Sequence, residues 1–460
     1  MTAGPRAAGA PAPQPTRGSL TRRCYLAGTA AAVPLLAAAC GVGESTPQPA
    51  ALDRNQRDEL TWVVWSSDGG ARKEAYDAMV KRFNGQLPNV TVTRIAGGGE
   101  TLEKLITMMA SDTRVDIVGT RPDYIAAYME GPRPLQDLRQ FVKRDSSVIK
   151  DTDHVEGIVQ ALTHKGSLYA LPVGIYTNHA VLNQDLLTQK GIPLPAPTWT
   201  AEQALEVARR ATERKETEEA STWGLYHMWG VVTHFVYSWI RGNGGEPLTP
   251  NEEVTRSQWA TDPETVNTVQ WLTDLSHKQG LMPVKTTGGV WGTFREGKVA
   301  IGVMETNNLY QIVEAQQQTG NQFRWDVHPL PAMKKGRYQP INGFSYGVSR
   351  NTGNPDATWE LLKQVLGPAG QTDWYRLARF APSIKSLLGG QYQQEKDAPA
   401  GRKTIADALL AAKPMPRSRA WLDIDKVVVE VLGKVREGTV SVREGLADID
   451  RRVTAAVQPR

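Results

Sequence analysis

The body of the chain opens with a strand pattern followed by a helix pattern. Residues 60–65, LTWVVW, are rich in β-branched and aromatic side chains, a composition that favours a β-strand. After a polar break, apolar side chains recur with the i, i+3, i+4, i+7 spacing of an amphipathic helix, at Tyr76, Met79, Val80 and Phe83. The pattern therefore predicts a strand that leads into an α-helix.

The next segment repeats this order. Residues 90–95 alternate apolar and polar side chains as a strand does, and residues 115–118 are a third strand-like run. Between them lies a helical spacing of apolar residues, at Leu102, Leu105, Ile106 and Met109. Strands that alternate with helices predict a mainly parallel sheet, and ligands bind at the carboxyl ends of such strands. We therefore expect a binding edge at loops 66–70, 96–100 and 119–124.

The rest of the chain continues this α/β pattern. Residues 168–173 and 175–182 are strand-like, and the segment 200–320 is mostly helical in pattern. Residues 325–330 form another strand-like run, and the pattern is helical from about residue 356. Because a single hydrophobic core stops growing well below a length of 460 residues, we expect two lobes.

The N-terminal segment is predicted to be an export signal and not part of the fold. Residues 1–39 contain arginines but no acidic residue, so most of the net charge of +5 comes from them and the body is nearly neutral. A neutral body argues against a nucleic-acid-binding face. Residues 21–26, TRRCYL, resemble a twin-arginine export signal, and the apolar run 27–39 is too short to span a bilayer permanently.

Cys40 ends this apolar run in a sequence, LLAAACG, that resembles a lipobox. Acylation of Cys40 would anchor the protein at the outer face of the cytoplasmic membrane, with residues 41–57 as a polar tether. The alternative is an unmodified cysteine that follows a plain signal peptide. Cys24 is the only other cysteine, so the mature body can form no internal disulfide.

The sequence contains partial matches to enzyme motifs, but each match lacks a residue that the motif requires. Residues 343–347 match G-x-S-x-G, but the last histidine is His328, so the order of an α/β-hydrolase triad is impossible. Residues 292–298 match the P-loop pattern up to its lysine, but Val299 stands where the pattern requires Ser or Thr. The histidines are scattered without an H-E-x-x-H motif, so no metal or cofactor is expected. A glycosidase with a pair of catalytic carboxylates stays an open alternative, because the sequence does not show how far apart two carboxylates lie in the fold.

Several spaced motifs point to one family. They are the first strand and its helix ending at 83–84, the strand VDIV at 115–118, GSLYALP at 166–172, LNQDLL at 182–187, PTWT at 197–200 and FREGKVAI at 294–301. In this order they resemble the family 1 extracellular solute-binding proteins. The resemblance implies an α/β, two-lobed periplasmic-binding-protein fold of type II-like architecture, with hinge-linked lobes and a ligand cleft between them.

The same resemblance implies lobe boundaries and partners. Lobe 1 is expected at 58–178 plus 326–355, and lobe 2 at 179–325 plus 356–460. The protein is expected to be a monomer that delivers a small solute, a sugar or oligosaccharide, to the permease subunits of an ABC importer without chemical change. The alternatives are a secreted carbohydrate-active hydrolase, a binding protein for a solute other than sugar, and an interaction lipoprotein that binds no small ligand.

Ligand contacts are expected from aromatic and polar residues near the predicted cleft, because a sugar ring has an apolar face and a rim of hydroxyls. The candidates are Trp65, Ser66, Asp68, Thr120, Arg121, Asp123, Tyr124, Tyr176, Trp229, His234, Glu305, Asn307, Phe344, Arg417 and Trp421. Asn307 occupies a position where many relatives carry a stacking Trp, which weakens a maltodextrin-like interpretation. Asp68 could instead cap the following helix, and any of these aromatics could instead belong to the core.

Overall fold

The computed structural model describes most of the chain beyond the leader. The described ranges are residues 56–64, 69–97, 101–111, 113–217, 220–227, 232–249, 253–284, 292–396 and 401–458. The export signal, Cys40, Trp65, Ser66, Asp68 and Trp229 lie outside these ranges, as does the side chain of His234. The roles assigned to them above stay predictions.

Strands and helices alternate through the described ranges. The strands are β1 (Asp58–Val64), β2 (Val90–Ala96), β3 (Ile117–Thr120), β4 (Thr163–His164), β5 (Ser167–Leu168), β6 (Leu171–Tyr176), β7 (Asn178–Asn183), β8 (Trp223–His227), β9 (Val299–Glu305), β10 (Trp325–His328) and β11 (Asn342–Val348). The α-helices are α1 (Gly70–Gln86), α2 (Thr101–Ala110), α3 (Ile125–Glu130), α4 (Arg139–Arg144), α5 (Glu156–Ala161), α6 (Gln184–Gln189), α7 (Ala201–Ala211), α8 (Val232–Asn243), α9 (Pro263–His277), α10 (Gly292–Arg295), α11 (Leu309–Thr319), α12 (Pro355–Leu366), α13 (Pro368–Leu377), α14 (Lys385–Gly389), α15 (Gln391–Gln394), α16 (Arg402–Ala411), α17 (Trp421–Glu437) and α18 (Val442–Val457). Short 3-10 turns are η1 (Pro122–Tyr124), η2 (Asp151–Asp153) and η3 (Thr306–Asn308).

The first sheet has the strand order β2-β1-β3-β11-β6. β1 runs parallel to β2 and β3, as the alternating pattern predicts, and β11 is antiparallel to both of its neighbours. The third strand begins at Ile117, two residues later than the pattern indicates. The reason is the fully buried Asp116, whose carboxylate accepts a hydrogen bond from the Thr61 amide at 2.8 Å and anchors the irregular segment before β3.

The second sheet has the order β10-β7-β9-β8, with β7 antiparallel to β10 and β9 and with β8 parallel to β9. The chain moves from the first sheet to the second at Thr177, which lies between β6 and β7. The Thr177 hydroxyl donates to the Pro340 carbonyl at 2.7 Å, and the Thr306 amide donates to the Thr177 carbonyl at 3.0 Å. The first bond ties the crossing to the segment before β11, in which the chain returns to the first sheet, and the second ties it to the turn η3 after β9.

The C-terminal helices divide between the two sheets. α12 and α13 pack on α1, β6 and β11 of the first sheet, whereas α17 packs on α8 and α18 beside the second. The sequence-based boundaries put all of residues 356–460 in the second lobe and residues 326–355 in the first, yet β10 pairs with β7 in the second sheet. Helical periodicity shows that a helix has an apolar face, but it does not show which sheet that face covers.

The core of the first sheet is an aromatic cluster. The Trp62 ring meets the rings of Tyr76 and Tyr346 edge-on at centroid distances of 5.0 and 5.2 Å. The two tyrosine hydroxyls share a hydrogen bond of 2.6 Å, so their burial leaves no unpaired phenol in this pair.

Among the described helices, none combines the length and the apolar character that crossing a membrane requires.

Candidate ligand-binding site between the two sheets

The loop that follows β3 carries a buried ion pair at the carboxyl end of the strand. Arg121 has an extended backbone, as expected for a residue before proline, and Pro122 opens the turn η1. The Arg121 guanidinium donates through Nε and Nη2 to the two carboxylate oxygens of Asp123, at 3.1 and 2.6 Å. Asp123 is 4% exposed. Such a two-point contact fixes both side chains in one geometry.

The charge state of this pair follows from its surroundings. Burial alone would lower the pKa of Arg121, but the Asp123 carboxylate, with smaller contributions from Tyr176 and Tyr124, holds the pKa well above its ordinary value. The Arg121 guanidinium also lies over the Tyr124 ring, 5.0 Å from its centroid, a cation–π geometry. Burial raises the pKa of Tyr124 to about 12. The site therefore presents a permanent cation and a neutral phenol at physiological pH.

Trp421 connects α17, a helix beside the second sheet, with the Arg121–Asp123 pair. Trp421 is the first residue of α17, and its Nε1 donates to the Asp123 Oδ2 at 3.3 Å. Its side chain is fully buried. The predicted contact residues Arg121, Asp123, Tyr124 and Trp421 therefore do lie together, and the Asp123 carboxylate joins a loop of the first sheet to a helix beside the second.

The end of β9 supplies the second sheet's polar groups. Glu305, the last residue of β9, is 5% exposed. Burial raises the pKa of Tyr176, and the Glu305 carboxylate adds to this rise. The turn η3, which follows Glu305, packs on β6. In the following turn η3, the buried Asn307 Oδ1 accepts no hydrogen bond from the described residues. A buried acceptor without a partner costs roughly 1–3 kcal/mol, so the position is suited to a hydroxyl donor from a ligand.

Phe344 extends the site along β11. Its ring lies 5.8 Å from the Tyr176 ring and 4.9 Å from that of Phe380, measured between centroids. The Arg72 guanidinium, in the first turn of α1, lies over the rings of Phe344 and Phe380 at 5.3 and 5.4 Å. Sequence reasoning missed Arg72 and Phe380. Arg72 could have been found from its place just after the first predicted binding loop, whereas nothing in the local sequence marks Phe380.

Two of the predicted contact residues, Thr120 and Arg417, donate hydrogen bonds to backbone carbonyls. Thr120 is fully buried, and its hydroxyl donates to the Arg121 carbonyl at 3.2 Å, inside its own loop. Arg417 donates to the Gln160 carbonyl at 3.1 Å and to the Thr163 carbonyl, near the end of α5. Arg417 lines a cavity of about 460 Å³ together with Lys385, and none of the residues around Asp123 lines that cavity. The cavity beside Arg417 is thus separate from the cluster that Arg121, Asp123, Tyr124 and Trp421 form.

The G-x-S-x-G motif has no catalytic geometry. Ser345 lies within β11 and not at a strand-to-helix turn, and its buried Oγ has no hydrogen-bond partner among the described residues. His328 lies on β10 in the second sheet, which pairs with β7 and not with β11. Within the described ranges, no group of His, Cys, Asp and Glu side chains is arranged to hold a metal ion.

Comparison with known proteins agrees with this architecture. The model of the bacterial extracellular solute-binding protein family matches residues 78–400. The galactooligosaccharide-binding protein of Bacillus subtilis (strain 168) is 24% identical over 430 residues, which cover 90% of this chain and 93% of that protein.

Solved structures show the same fold. An ABC substrate-binding protein from Listeria monocytogenes in complex with cycloalternan superposes with a TM-score of 0.75 at 19% identity, covering 87% of this chain and 99% of the other. The sugar-binding protein MalE from the phytopathogen Xanthomonas citri gives a TM-score of 0.72 at 19% identity, covering 87% and 97%. These likenesses confirm the predicted two-lobed α/β binding-protein fold, and the family consists of binding proteins and not enzymes. The chain belongs to the bacterial extracellular solute-binding protein family.

Proposed function

We propose that the protein binds a sugar or oligosaccharide outside the cell and delivers it unchanged to the permease of an ABC importer. The observation that carries the proposal is the cluster in which Asp123, from the first sheet, meets Trp421, from a helix beside the second. The cluster combines charged groups, phenols and aromatic rings, the set that recognises the hydroxyl rim and apolar face of a sugar. Relatives described as binding galactooligosaccharide and cycloalternan support a saccharide as the solute.

The mechanism we propose is capture by closure. An open form binds the saccharide on one lobe, and the other lobe then closes, because only the closed form makes both sets of contacts. Asp123 and Arg121 would bind hydroxyls from the first lobe, while Glu305, Asn307 and Trp421 would complete the site from the second. The crossing at Thr177 would act as part of the hinge.

Sheet membership gives the lobe boundaries that we propose. The first lobe would contain residues 58–176 and 342–377, which form or cover the first sheet. The second would contain residues 178–328 and the helices 421–457, which form or flank the second sheet. The segment 329–341 would be the second connection between the lobes.

We also propose that the mature protein is a monomer anchored through an acylated Cys40. The lipobox-like sequence before Cys40 and the polar segment that follows support this arrangement. Mass spectrometry of the protein purified from its own membranes tests it. A diacylated N-terminal cysteine is the expected result, and a free thiol at Cys40 would contradict the anchor.

A thermal-shift screen tests the sugar assignment. Purified protein is heated with galactose, galactobiose, maltose, maltotetraose, polyols and amino acids, because a ligand that binds only the native state raises the melting temperature. We expect a rise with one saccharide class and recovery of that saccharide intact. A shift with amino acids or polyols alone would contradict the sugar assignment, and recovery of cleaved saccharide would indicate a hydrolase.

A further inference from the structure

The cavity of about 460 Å³ beside Arg417 lies on the face of α5 that points away from the first sheet. Glu156, Val159 and Gln160 line it and recur at i, i+3 and i+4, which puts them on one side of the helix. Ile158 and Ala161, on the other side, are buried, and α5 packs on β6. The volume lies within the range of about 300–1,000 Å³ that is usual for ligand pockets.

The wall of this cavity contains a buried imidazole. His154 is 2% exposed and lines the cavity. Its Nδ1 shares a hydrogen bond of 2.7 Å with the Ser383 hydroxyl, whose oxygen also accepts from Gln371 Nε2 at 2.8 Å. The other ring nitrogen, Nε2, has no hydrogen-bond partner among the described residues and is not enclosed by them, so it opens on the cavity that the ring lines.

The surroundings of this imidazole fix its charge and its proton. Burial, with a smaller contribution from the Lys385 ammonium, lowers the pKa of His154 to about 3, so the ring is neutral at physiological pH. The Ser383 hydroxyl lies closer to Nδ1, at 2.7 Å, than to the Pro172 carbonyl, at 3.2 Å. We therefore assign the hydroxyl proton to the bond with Nδ1 and the ring proton to Nε2, which makes Nε2 a donor toward the cavity.

Two charges of opposite sign line the cavity without pairing. Lys385 is the first residue of α14 and Glu156 is the first residue of α5, and both are exposed. Neither side chain forms a hydrogen bond or ion pair with another described residue. A ligand that carries both signs would complement both side chains, and charged hydrogen bonds of this kind are the strong ones.

We propose that this cavity binds a small zwitterion, with an ammonium and a carboxylate on a short apolar body, as in a free amino acid. Lys385 and the His154 Nε2–H bind the carboxylate, and Glu156 binds the ammonium. Val159, half-buried in the wall, contacts the apolar body. The site is separate from the Arg121–Asp123 cluster, and its test requires no saccharide.

Calorimetric titration of the purified protein tests the site. The probes are two zwitterions, L-valine and 5-aminopentanoate, and the two halves of valine, isovalerate and isobutylamine. We expect one of the zwitterions to bind, and isovalerate and isobutylamine to bind at least tenfold more weakly, because each half leaves one charge of the cavity unmatched. Lys385→Ala and Glu156→Gln should each weaken the zwitterion roughly tenfold, the size of one charged hydrogen bond.

Lys81→Ala is the matched control. Lys81, on α1, is also exposed and also forms no hydrogen bond or ion pair with another described residue, but it does not line this cavity. It should leave the affinity for the zwitterion unchanged. Since Lys385 and Glu156 are exposed, their substitution should also leave the melting temperature and the affinity for a saccharide at the wild-type values.

The contrary outcomes are distinct from those for the saccharide. The inference is overturned if neither zwitterion binds, if isovalerate binds as tightly as L-valine, or if the zwitterion competes with the saccharide. Equal affinity of the wild type, Lys385→Ala and Glu156→Gln for the zwitterion would also overturn it, as would an equal loss in Lys81→Ala. A protein that binds the zwitterion but no saccharide would keep this site and overturn the proposed function alone.

Discussion

Strand β3 carries the same pair of residues at both ends, and the two ends differ in what surrounds them. Arg114 and Asp116 precede the strand, and Arg121 and Asp123 follow it, with the same spacing. Both pairs form close ion pairs, at 2.9 Å between Arg114 Nε and Asp116 Oδ1, and at 2.6 Å between Arg121 Nη2 and Asp123 Oδ2. The sequence therefore shows two equivalent motifs.

The hydrogen-bond partners of the two carboxylates indicate a structural role for Asp116 and a binding role for Asp123. The Asp116 carboxylate accepts hydrogen bonds from the Thr61 amide and the Thr352 hydroxyl, at 2.8 and 2.5 Å, so it ties together segments within the first sheet. The Asp123 carboxylate instead accepts from Trp421, on a helix beside the second sheet. A charge that fastens one sheet to itself stabilises the fold, whereas a charge at the meeting point of two sheets is placed to respond to a ligand between them.

The largest effect is expected at the structural end. Asp116→Asn should lower the free energy of unfolding by about 3 kcal/mol, because a neutral amide cannot replace the buried carboxylate that accepts hydrogen bonds from the Thr61 amide, Arg114 and Thr352. Denaturant unfolding measures this loss. A loss below about 1 kcal/mol would show that the pair does not anchor the sheet.

The next effect is expected at the binding end. Asp123→Asn should weaken binding of the best saccharide from the thermal-shift screen roughly 30-fold, about 2 kcal/mol, because the hydroxyls lose an ionised acceptor. Calorimetric titration measures it. Unchanged affinity would remove Asp123 from the site.

A smaller effect should follow from Trp421→Phe. This change keeps an aromatic ring and removes only the Nε1 donor to Asp123, so affinity should fall roughly fivefold, about 1 kcal/mol. Trp359→Phe is the matched control, since the Trp359 Nε1 donates to Asp145 at 2.8 Å, on a helix of the first sheet. The control should lower stability without changing affinity, and an equal loss of affinity in both variants would contradict the assignment.

The smallest effect is a pH dependence at the structural end. Burial alone would raise the pKa of Asp58, but hydrogen bonds from Arg114 and Asn354 outweigh it and hold the pKa below its ordinary value. Because the folded pKa is the lower one, Asp58 contributes stability above the ordinary carboxyl range, and this contribution is lost as the pH falls through the folded pKa. Asp58→Asn should therefore flatten the loss of unfolding free energy below about pH 4. An unchanged acid limb would show that Asp58 does not contribute.

The sequence predicted the first βαβ units because the patterns of strands and helices depend on residues that are close together in the chain. Tyr76, Met79 and Phe83 are fully buried on one face of α1, as the helical spacing indicates, and β1 pairs in parallel with β2. The sequence likewise marked Arg121 and Asp123 as candidate ligand contacts, since the carboxyl ends of parallel strands are where ligands bind, but it did not show that their side chains pair.

Contacts between distant segments could not be predicted in this way. The hydrogen bond between Trp421 and Asp123 joins residues that are 298 positions apart, and neither local segment indicates the other. For the same reason, the sequence did not show which tryptophans belong to the core. Trp62, Trp359 and Trp374 are fully buried in the core of the first sheet, whereas Trp421, equally buried, contacts the candidate site.

The most direct test is a side-by-side titration of Asp116→Asn and Asp123→Asn with one saccharide, at a temperature where both variants are folded. The account predicts that Asp116→Asn, once folded, keeps wild-type affinity despite its lower stability and that Asp123→Asn, once folded, loses affinity. Equal losses of affinity in the two variants, or a loss confined to Asp116→Asn, would contradict the assignment of the binding site to the carboxyl end of β3.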